Sequence, residues 1–318
     1  MKRIDYTVAR HTFRLQMEAG SPLWECLGNY APFQDETPEA TSPIFTLTVA
    51  EDEDETDRSL LTPQGNFDSD GAAMELFLTA DGGRMFRIHS HEEAATQGSR
   101  LYLSPDYHEA TLHFRADAGK GNRMFGITNA LMLLYAFTTA TLGTLLMHAS
   151  VIVNGGKACL FLGRSGTGKS THSRLWLQHI PGSTLLNDDN PVMRIAADGT
   201  PILYGSPWSG KTPCYRNECA PASAIVRLSQ APRNHIARLK GVAAYAAVAP
   251  SLSGMRWETE MADGIHATLA RLIESVPVFH LQCLPDEAAA RLCYDTITAP
   301  KAEPTKGNTD RKESVCNE

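Results

Sequence analysis

The amino-acid sequence predicts an α/β protein in which a β-rich region precedes a domain built on a mixed sheet. Short runs of alternating apolar residues separated by polar turns fill the first 120 residues, a pattern typical of strands. Further along, an apolar run at 158–162 is followed by a glycine-rich loop and a helical segment. Directly before that run, Asn154-Gly155 is a strong hairpin signal. The strand at 158–162 therefore gains an antiparallel neighbour, and the sheet is predicted to be mixed.

The pattern divides the chain into three parts. Residues 1–120 are predicted to be β-rich from a hairpin signal at 81–83 and from six apolar runs, which lie at 6–8, 13–17, 44–49, 74–78, 85–88 and 110–114. Residues 121–300 form the predicted α/β domain. The polar, charged segment 301–318 lacks the apolar residues that a core requires, so we expect it to be disordered.

An uncharged segment at 125–147 is long enough to cross a bilayer. It contains Asn129, threonines and glycines, which favour a buried helix over a membrane span. We interpret 123–141 as that helix, followed by a turn at Gly143 and a strand over 145–153. A membrane helix is the alternative, and we expect no membrane association.

The glycine-rich loop fits the phosphate-binding pattern G-x-x-x-x-G-K-[ST] at every fixed position and reads Gly163-Arg164-Ser165-Gly166-Thr167-Gly168-Lys169-Ser170. Backbone N–H groups of such a loop surround a triphosphate, and the following helix, predicted over 171–178, adds its dipole. Lys169 would reach the β- and γ-phosphates. The hydroxyl of Ser170 would bind Mg²⁺, with Thr171 in support. The loop therefore predicts ATP and Mg²⁺ as ligands.

A pair of carboxylates follows the loop by about twenty residues. A short strand at 183–186 runs into Asn187-Asp188-Asp189-Asn190, and open α/β sheets bind ligands at the carboxyl ends of strands. Adjacent side chains leaving a strand diverge, so one carboxylate can hold Mg²⁺ while the other faces a nucleophile. The alternative is ordinary turn chemistry, for which Asp and Asn are common residues.

The remaining elements follow from turn and cap signals. A hairpin is predicted around Asp198-Gly199, and acidic residues after Pro285 open a helix that runs to about 297. The other predicted elements are two strands at 222–228 and 276–281 and a helix at 259–274.

Three segments together resemble the catalytic domain of HPr kinase/phosphorylase, which is akin to phosphoenolpyruvate carboxykinase: Met147-His148-Ala149-Ser150, the glycine-rich loop and Leu186-Asn187-Asp188-Asp189. The resemblance covers about residues 123–298, and the segment 204–211 is similar to one in uncharacterised bacterial relatives of that kinase. It implies a mixed-sheet P-loop kinase fold, with His148 and the aspartate pair around the transferred phosphoryl group. Lys211, in the same similar segment, is a further candidate, a point charge that caps a phosphate.

The sequence also departs from these families. The acidic residue and the arginine that follow the aspartate pair in HPr kinase cannot be identified in this sequence. The residues that bind substrate in the carboxykinase are not found at a recognisable spacing either. We expect an ATP- and Mg²⁺-dependent phosphotransferase with Asp189 as the general base and Asp188 as the metal ligand. The reverse assignment of these two roles is the alternative. The acceptor is a protein serine or a small-molecule alcohol. Two alternatives stay open: a carboxykinase-type lyase acting on a keto acid, and a non-catalytic nucleotide-binding regulator.

Composition excludes some partners. A net charge of -7 and a pI near 5.9 offer no electrostatic footprint for nucleic acid. Seven cysteines without paired metal-ligand spacing are typical of reduced thiols, which favours a cytoplasmic protein. The sequence does not determine the oligomeric state, and a homo-oligomer is one possibility.

Overall fold

The computed structural model describes residues 1–35, 42–50, 60–69, 71–92, 98–115, 117–210 and 212–299. Within these ranges the chain is an α/β protein with two mixed sheets. The predicted class is therefore confirmed at this level. The predicted tail at 301–318 and Lys211 lie outside the described residues.

The first sheet is built entirely from the N-terminal part of the chain. Its described strands are β1 (Lys2–Val8), β2 (His11–Met17), β3 (Thr46–Ala50), β4 (Thr62–Ser69), β5 (Ala72–Leu78), β6 (Arg84–Ser90), β7 (Ser99–Leu103) and β8 (Glu109–His113). Their order is β1-β2-β3-β8-β7-β6-β5-β4, and β3 runs parallel to both of its neighbours. All six predicted apolar runs overlap these strands, and β5 and β6 form the predicted hairpin. Short 3-10 helices at Pro22–Cys26 and Gly28–Phe33 follow β2.

Helix α1 (Lys120–Thr139) connects the two sheets, and it confirms the helix predicted over 123–141 with slightly earlier ends. It packs on β6, β7 and β8, and the hydroxyl of Tyr135 donates to the carbonyl of Val8 at 3.0 Å. One continuous apolar cluster includes residues of the first sheet, α1 and one face of the second sheet. In the part of the chain that the structure describes, no helix is long and apolar enough to span a membrane.

The second sheet holds the strands that follow α1, with helices between them. The strands are β9 (Thr144–Leu146), β10 (Ala149–Asn154), β11 (Lys157–Leu162), β12 (Thr184–Asp189), β13 (Val192–Ile195), β14 (Pro201–Tyr204), β15 (Cys219–Gln230), β16 (His235–Leu239) and β17 (Val278–Cys283). The helices are α2 (Lys169–His179), α3 (Gly241–Val248), α4 (Thr259–Ser275) and α5 (Glu287–Thr298), with a 3-10 turn at Ala249–Ser251.

The strand order of this sheet is β12-β10-β11-β15-β14-β13-β9, with β17 beside β15 and β16 beside β17. Strand β11 runs parallel to β15 and antiparallel to β10, which is also antiparallel to β12. The predicted antiparallel neighbour of β11 is therefore confirmed. Because β11, β12 and β15 point the same way, their carboxyl ends meet at one edge of the sheet.

Successive residues of the central strands enter two different cores, as the side-chain period of a strand requires. Leu160 belongs to the cluster shared with α1 and the first sheet, while Phe161 packs with Trp176 of α2 and with α5 residues on the other face. Helix α5 begins at the predicted cap, because the Asp286 carboxylate accepts from the Ala289 N–H at 2.8 Å.

Two predictions before β11 need correction. The hairpin exists, but Asn154 pairs with Lys157, so the turn consists of Gly155 and Gly156, both with positive φ. Two successive positive φ angles are typical of a type I′ hairpin turn, in which both Gly-Gly and Asn-Gly are common, so the turn lies one residue later than predicted. The strand predicted over 145–153 is two strands, because β9 pairs with β13 whereas β10 pairs with β11 and β12.

Strands β4, β7 and β16 and helix α3 were not predicted from the sequence. Strand β16 is largely exposed, so it lacks the apolar alternation that marks a half-buried strand. Helix α3 is eight residues long and rich in alanine, without a polar face that would reveal its period.

Candidate functional site

The glycine-rich loop, residues 163–170, lies between the end of β11 and the start of α2. Gly166 and Gly168 have φ angles of 77° and 109°, which a residue with a Cβ adopts only under strain. Gly168 is the N-cap of α2, so the loop delivers its backbone to the positive end of a helix dipole. Helix N-termini of this kind favour the binding of anions.

Lys169 extends from the first position of α2 back over the loop. Its Nζ donates to the carbonyl oxygen of Gly163 at 2.9 Å and lies 2.6 Å from Nε2 of His148. The residue is only 9% exposed, so its aliphatic chain is buried. The ammonium group is therefore held at the loop and does not sample solvent as a surface lysine does.

Ser170 and Asp188 meet where the first turn of α2 approaches the end of β12. The hydroxyl of Ser170 donates to Oδ1 of Asp188 at 3.0 Å, and Asp188 is buried. Hydroxyl and carboxylate oxygens are the ligands that Mg²⁺ prefers. No group of three or more His, Cys, Asp and Glu side chains that could hold a metal occurs among the described residues. An ion at this place would therefore need oxygens from elsewhere, such as phosphate or water.

Asp189 turns the other way from Asp188. Its Oδ1 lies 3.3 Å from Nδ1 of His148, and its Oδ2 accepts from the side-chain amide of Asn190 at 2.9 Å. The φ angle of Asp189 is 141°, a region that residues other than glycine rarely adopt. Strain of this kind costs on the order of 1–3 kcal/mol and persists only where surrounding contacts impose it.

The segment 205–210 supplies contacts that hold the aspartates in place. The backbone N–H of Gly210 and the hydroxyl of Ser209 both donate to the carbonyl oxygen of Asp188, at 2.7 and 3.1 Å. One residue earlier, the buried amide of Asn187 donates to Ser206 Oγ at 3.1 Å and to the Trp208 carbonyl at 3.2 Å. This buried network fixes the end of β12. Sequence reasoning noticed the segment but did not predict this supporting role.

His148 occupies the break between β9 and β10, and not the interior of an apolar strand as predicted. Its backbone N–H donates to the carbonyl oxygen of Ser251 at 2.7 Å, and the backbone N–H of Met147 donates to the carbonyl oxygen of Pro191 at 3.1 Å. These two bonds replace ladder bonds and direct the imidazole toward the sheet edge. The half-exposed ring therefore lies between Lys169 and Asp189.

A cavity of about 1210 Å³ opens beside this cluster. Gly163, Arg164 and Ser165 of the loop contribute to its wall, together with His148 and Asp189. From there it continues along α1 between the two sheets.

The cavity wall also contains Arg227, which the sequence analysis did not predict. This arginine pairs in register with Leu162, the residue directly before the loop, on the parallel neighbour strand β15. No local motif marks it. Only the pairing of β11 with β15 brings a cation from that position to the loop.

The other predicted residues differ in how they are placed. Thr167 packs beside Gly163, and Thr171 is half-buried in the first turn of α2. His172, which follows Thr171 on α2, is buried and accepts from Nε1 of Trp176 at 3.2 Å. Burial lowers the pKa of His172 to about 4, so it is neutral at pH 7. It packs between α2 and β11 and does not enter the cavity.

A comparison with protein-family models finds no match to this chain, and neither does a comparison with curated proteins.

Proposed function

We propose that the protein is an ATP- and Mg²⁺-dependent phosphotransferase with a P-loop kinase domain related to HPr kinase/phosphorylase, and that it transfers the γ-phosphoryl group to a hydroxyl acceptor. One observation carries the proposal: the aspartate pair divides between two partners. Asp188 contacts Ser170 of the loop helix, and Asp189 contacts His148 beside the cavity. The position of Asp188 thus suits a metal ligand, and the position of Asp189 suits a general base.

Phosphate binding is supported by the loop itself. The first three loop residues, 163–165, line the cavity, and they are followed by Gly166 and Gly168, which have positive φ, and by the buried Lys169 at the start of α2. Backbone N–H groups and an ammonium ion together neutralise the charge of a triphosphate. Such a loop contacts phosphates, so its contacts do not select a particular nucleobase. ATP is therefore proposed as the phosphoryl donor from the family resemblance.

The residues present fit a magnesium ion. Ser170 Oγ and Asp188 Oδ1 are hard oxygen donors 3.0 Å apart, and they would hold the ion directly or through water. The positive charge of a bound Mg²⁺ would help neutralise the charge that develops on the phosphate oxygens. Two protein ligands are typical of a magnesium site that is completed by substrate phosphates and water.

Asp189 is proposed as the base that accepts the proton of the acceptor hydroxyl. Because the Lys169 ammonium group can only donate, Nε2 of a neutral His148 accepts, and the proton of the ring lies on Nδ1. Nδ1 lies 3.3 Å from Oδ1 of Asp189, while Asn190 donates to Oδ2. Both oxygens are therefore oriented by donors, and the strained backbone of Asp189 holds the carboxylate at the cavity.

The two alternatives have less support. A carboxykinase-type lyase needs cations for its keto acid, yet Arg164 and Arg227, the lining arginines among the described residues, both lie at the loop end. That is where the phosphates of the nucleotide would bind. A non-catalytic regulator has no use for a carboxylate oriented by His148. Neither alternative is favoured by a specific contact.

The direct test is transfer of label from [γ-³²P]ATP to fractionated metabolites and to lysate proteins, with and without Mg²⁺. We expect a labelled product that requires Mg²⁺ and is not formed by the Lys169→Ala variant. A folded wild-type protein that neither binds ATP nor labels any fraction would overturn the proposal.

A further inference from the structure

Helix α1 is apolar on both faces, but only one face is covered. The covered face is buried in the core and consists of Ile127, Ala130, Leu131, Leu134 and Tyr135. The opposite face is only partly buried and lines the cavity with Met124, Phe125, Thr128, Met132 and Leu133. These residues recur every three or four positions, as one face of a helix does. A helix that is apolar all round is normally buried all round, so this second face is suited to contact an apolar ligand.

Other parts of the cavity wall are apolar too. Phe67 and Met74 come from the first sheet, and Met255 and Trp257 come from the segment before α4. The rings of Phe67 and Trp257 stack with centroids 4.1 Å apart and planes 9° apart, which joins the two sides of the cavity. We call the part of the cavity between these four residues and the half-buried face of α1 the apolar arm. Its methionines can adapt to ligands of irregular shape.

Charge is confined to the loop end of the cavity. Among the described lining residues, the charged side chains and histidines are His148, Arg164, Asp189 and Arg227. Each lies at or beside the glycine-rich loop or the end of β12. The described walls of the apolar arm therefore carry no charged side chain to pair with a charged group, and desolvating such a group there would be costly.

We propose that the apolar arm binds the acceptor, and that the acceptor is a small-molecule alcohol with an uncharged, apolar body. This inference rests on the proposed phosphotransferase function. A base must come within about 3 Å of the hydroxyl it deprotonates, and Asp189 lies in the wall of the same cavity as the arm. The cavity of about 1210 Å³ is larger than the roughly 300–1000 Å³ of a usual single-ligand cleft. It has room for nucleotide phosphates and a second small ligand.

The first experiment measures binding without relying on turnover. Ligand-observed NMR is recorded for 1-pentanol, 3-phenylpropan-1-ol and 4-hydroxybutyrate, with the wild-type protein, Mg²⁺ and a non-hydrolysable ATP analogue. We expect 3-phenylpropan-1-ol to bind most tightly, since each buried methylene improves affinity on the order of fourfold. We expect 4-hydroxybutyrate, which carries a carboxylate on a chain of similar length, to bind at least roughly tenfold more weakly than 1-pentanol.

Matched variants then locate the binding site. Met132→Gln and Met124→Gln keep side-chain length and helix propensity but place an amide in the arm. Leu142→Gln makes a comparable change just after the same helix, at a residue that is 46% exposed and outside the cavity wall. We expect either methionine variant to weaken 3-phenylpropan-1-ol about tenfold without weakening the ATP analogue, and Leu142→Gln to match wild type.

The second experiment tests transfer from [γ-³²P]ATP to the same alcohols and to the amide of N-acetyl-Ser-Phe. Phosphorylation of 3-phenylpropan-1-ol in preference to 4-hydroxybutyrate is expected.

Transfer confined to the seryl peptide would overturn the small-molecule assignment, and alcohol binding without any transfer would overturn the acceptor assignment. Equal binding of 4-hydroxybutyrate and 1-pentanol would overturn the inference as well. Weaker binding of the ATP analogue by Met132→Gln would also overturn it, because that result would place the nucleobase in the apolar arm. Failure of wild-type protein to bind the ATP analogue would instead count against the proposed function itself.

Discussion

Nδ1 of His148 lies 3.3 Å from Oδ1 of Asp189, while Nε2 of the same ring lies 2.6 Å from the Lys169 ammonium group. The imidazole therefore couples the orientation of a carboxylate to that of the lysine for which phosphate binding is proposed. We expect His148→Ala to lower kcat on the order of 10²-fold, because a carboxylate that loses its orienting donor is misplaced by a fraction of an ångström or more. The KM for ATP should change only a few-fold.

Steady-state kinetics at saturating acceptor separate these effects for His148. The conservative variant His148→Asn retains a donor and should recover part of kcat. Equal losses in kcat for both variants, or a loss confined to KM, would argue against a positioning role.

Lys169→Ala should weaken ATP binding and nearly abolish transfer, because the ammonium group is held at the loop by the Gly163 carbonyl. Calorimetric titration with ATP measures the first effect and label transfer the second. Lys157→Ala is a matched control, since Lys157 is an exposed lysine at the start of the adjoining strand. Wild-type affinity and turnover in a folded Lys169→Ala protein would remove the phosphate-binding role of the loop.

The aspartates should give different kinetic signatures. Asp189→Asn is expected to keep ATP binding within a few-fold and to lose roughly 10² to 10⁴ in transfer rate, as the removal of a general base does. Asp188→Asn should also raise the Mg²⁺ concentration needed for half-maximal rate, because Asp188 lies against Ser170. Transfer rates over a range of Mg²⁺ concentrations check both. Wild-type rates in both variants would mean that the pair only forms a turn.

Gly210→Ala should reduce transfer while leaving ATP binding intact. An added Cβ would lie 3.1 Å from Cβ of Asp189, so the strained aspartate would have to shift by a few tenths of an ångström. A shift of that size at the base is enough to slow a reaction that depends on alignment. Gly28→Ala is the control, because an added Cβ there meets no atom within 4 Å. Unchanged kcat in Gly210→Ala would show that the position of Asp189 tolerates the change.

The buried His172 should make stability depend on pH. Its folded-state pKa is lowered to about 4 by burial, whereas an unfolded histidine titrates near 6.5. The unfolded state therefore binds the proton first, and the free energy of unfolding should fall as pH drops from about 6.5 to 4, by about 1 kcal/mol per pH unit. Above pH 6.5 this contribution is constant.

Urea titrations at several pH values measure this dependence. His172→Gln keeps an acceptor for Trp176 and should show a shallower slope between pH 6.5 and 4 than wild type. His235→Gln, at an exposed position on β16, should retain the wild-type slope. Parallel curves for wild type and His172→Gln would contradict the prediction.

The sequence by itself determined the features that depend on neighbouring residues. The strand before the glycine-rich loop, the loop and the helix after it lie within about 20 positions, and their patterns of apolar residues and glycines specify local backbone geometry. The hairpin before the loop and the position of Asp188 and Asp189 at a strand end were predicted for the same reason. The turn was predicted one residue too early, because Asn154-Gly155 and Gly155-Gly156 are both dipeptides that favour a hairpin turn.

Only the tertiary structure decided which side chains meet. Asp188 and Asp189 are adjacent in sequence, but their separation toward Ser170 and His148 depends on where α2 and the break after β9 pack against β12. Arg227 reaches the loop only through the pairing of β15 with β11, and the half-covered face of α1 is visible only once both sheets are in place. Each of these contacts joins residues distant in the chain, so no local pattern encodes it and the packing of the whole core determines it.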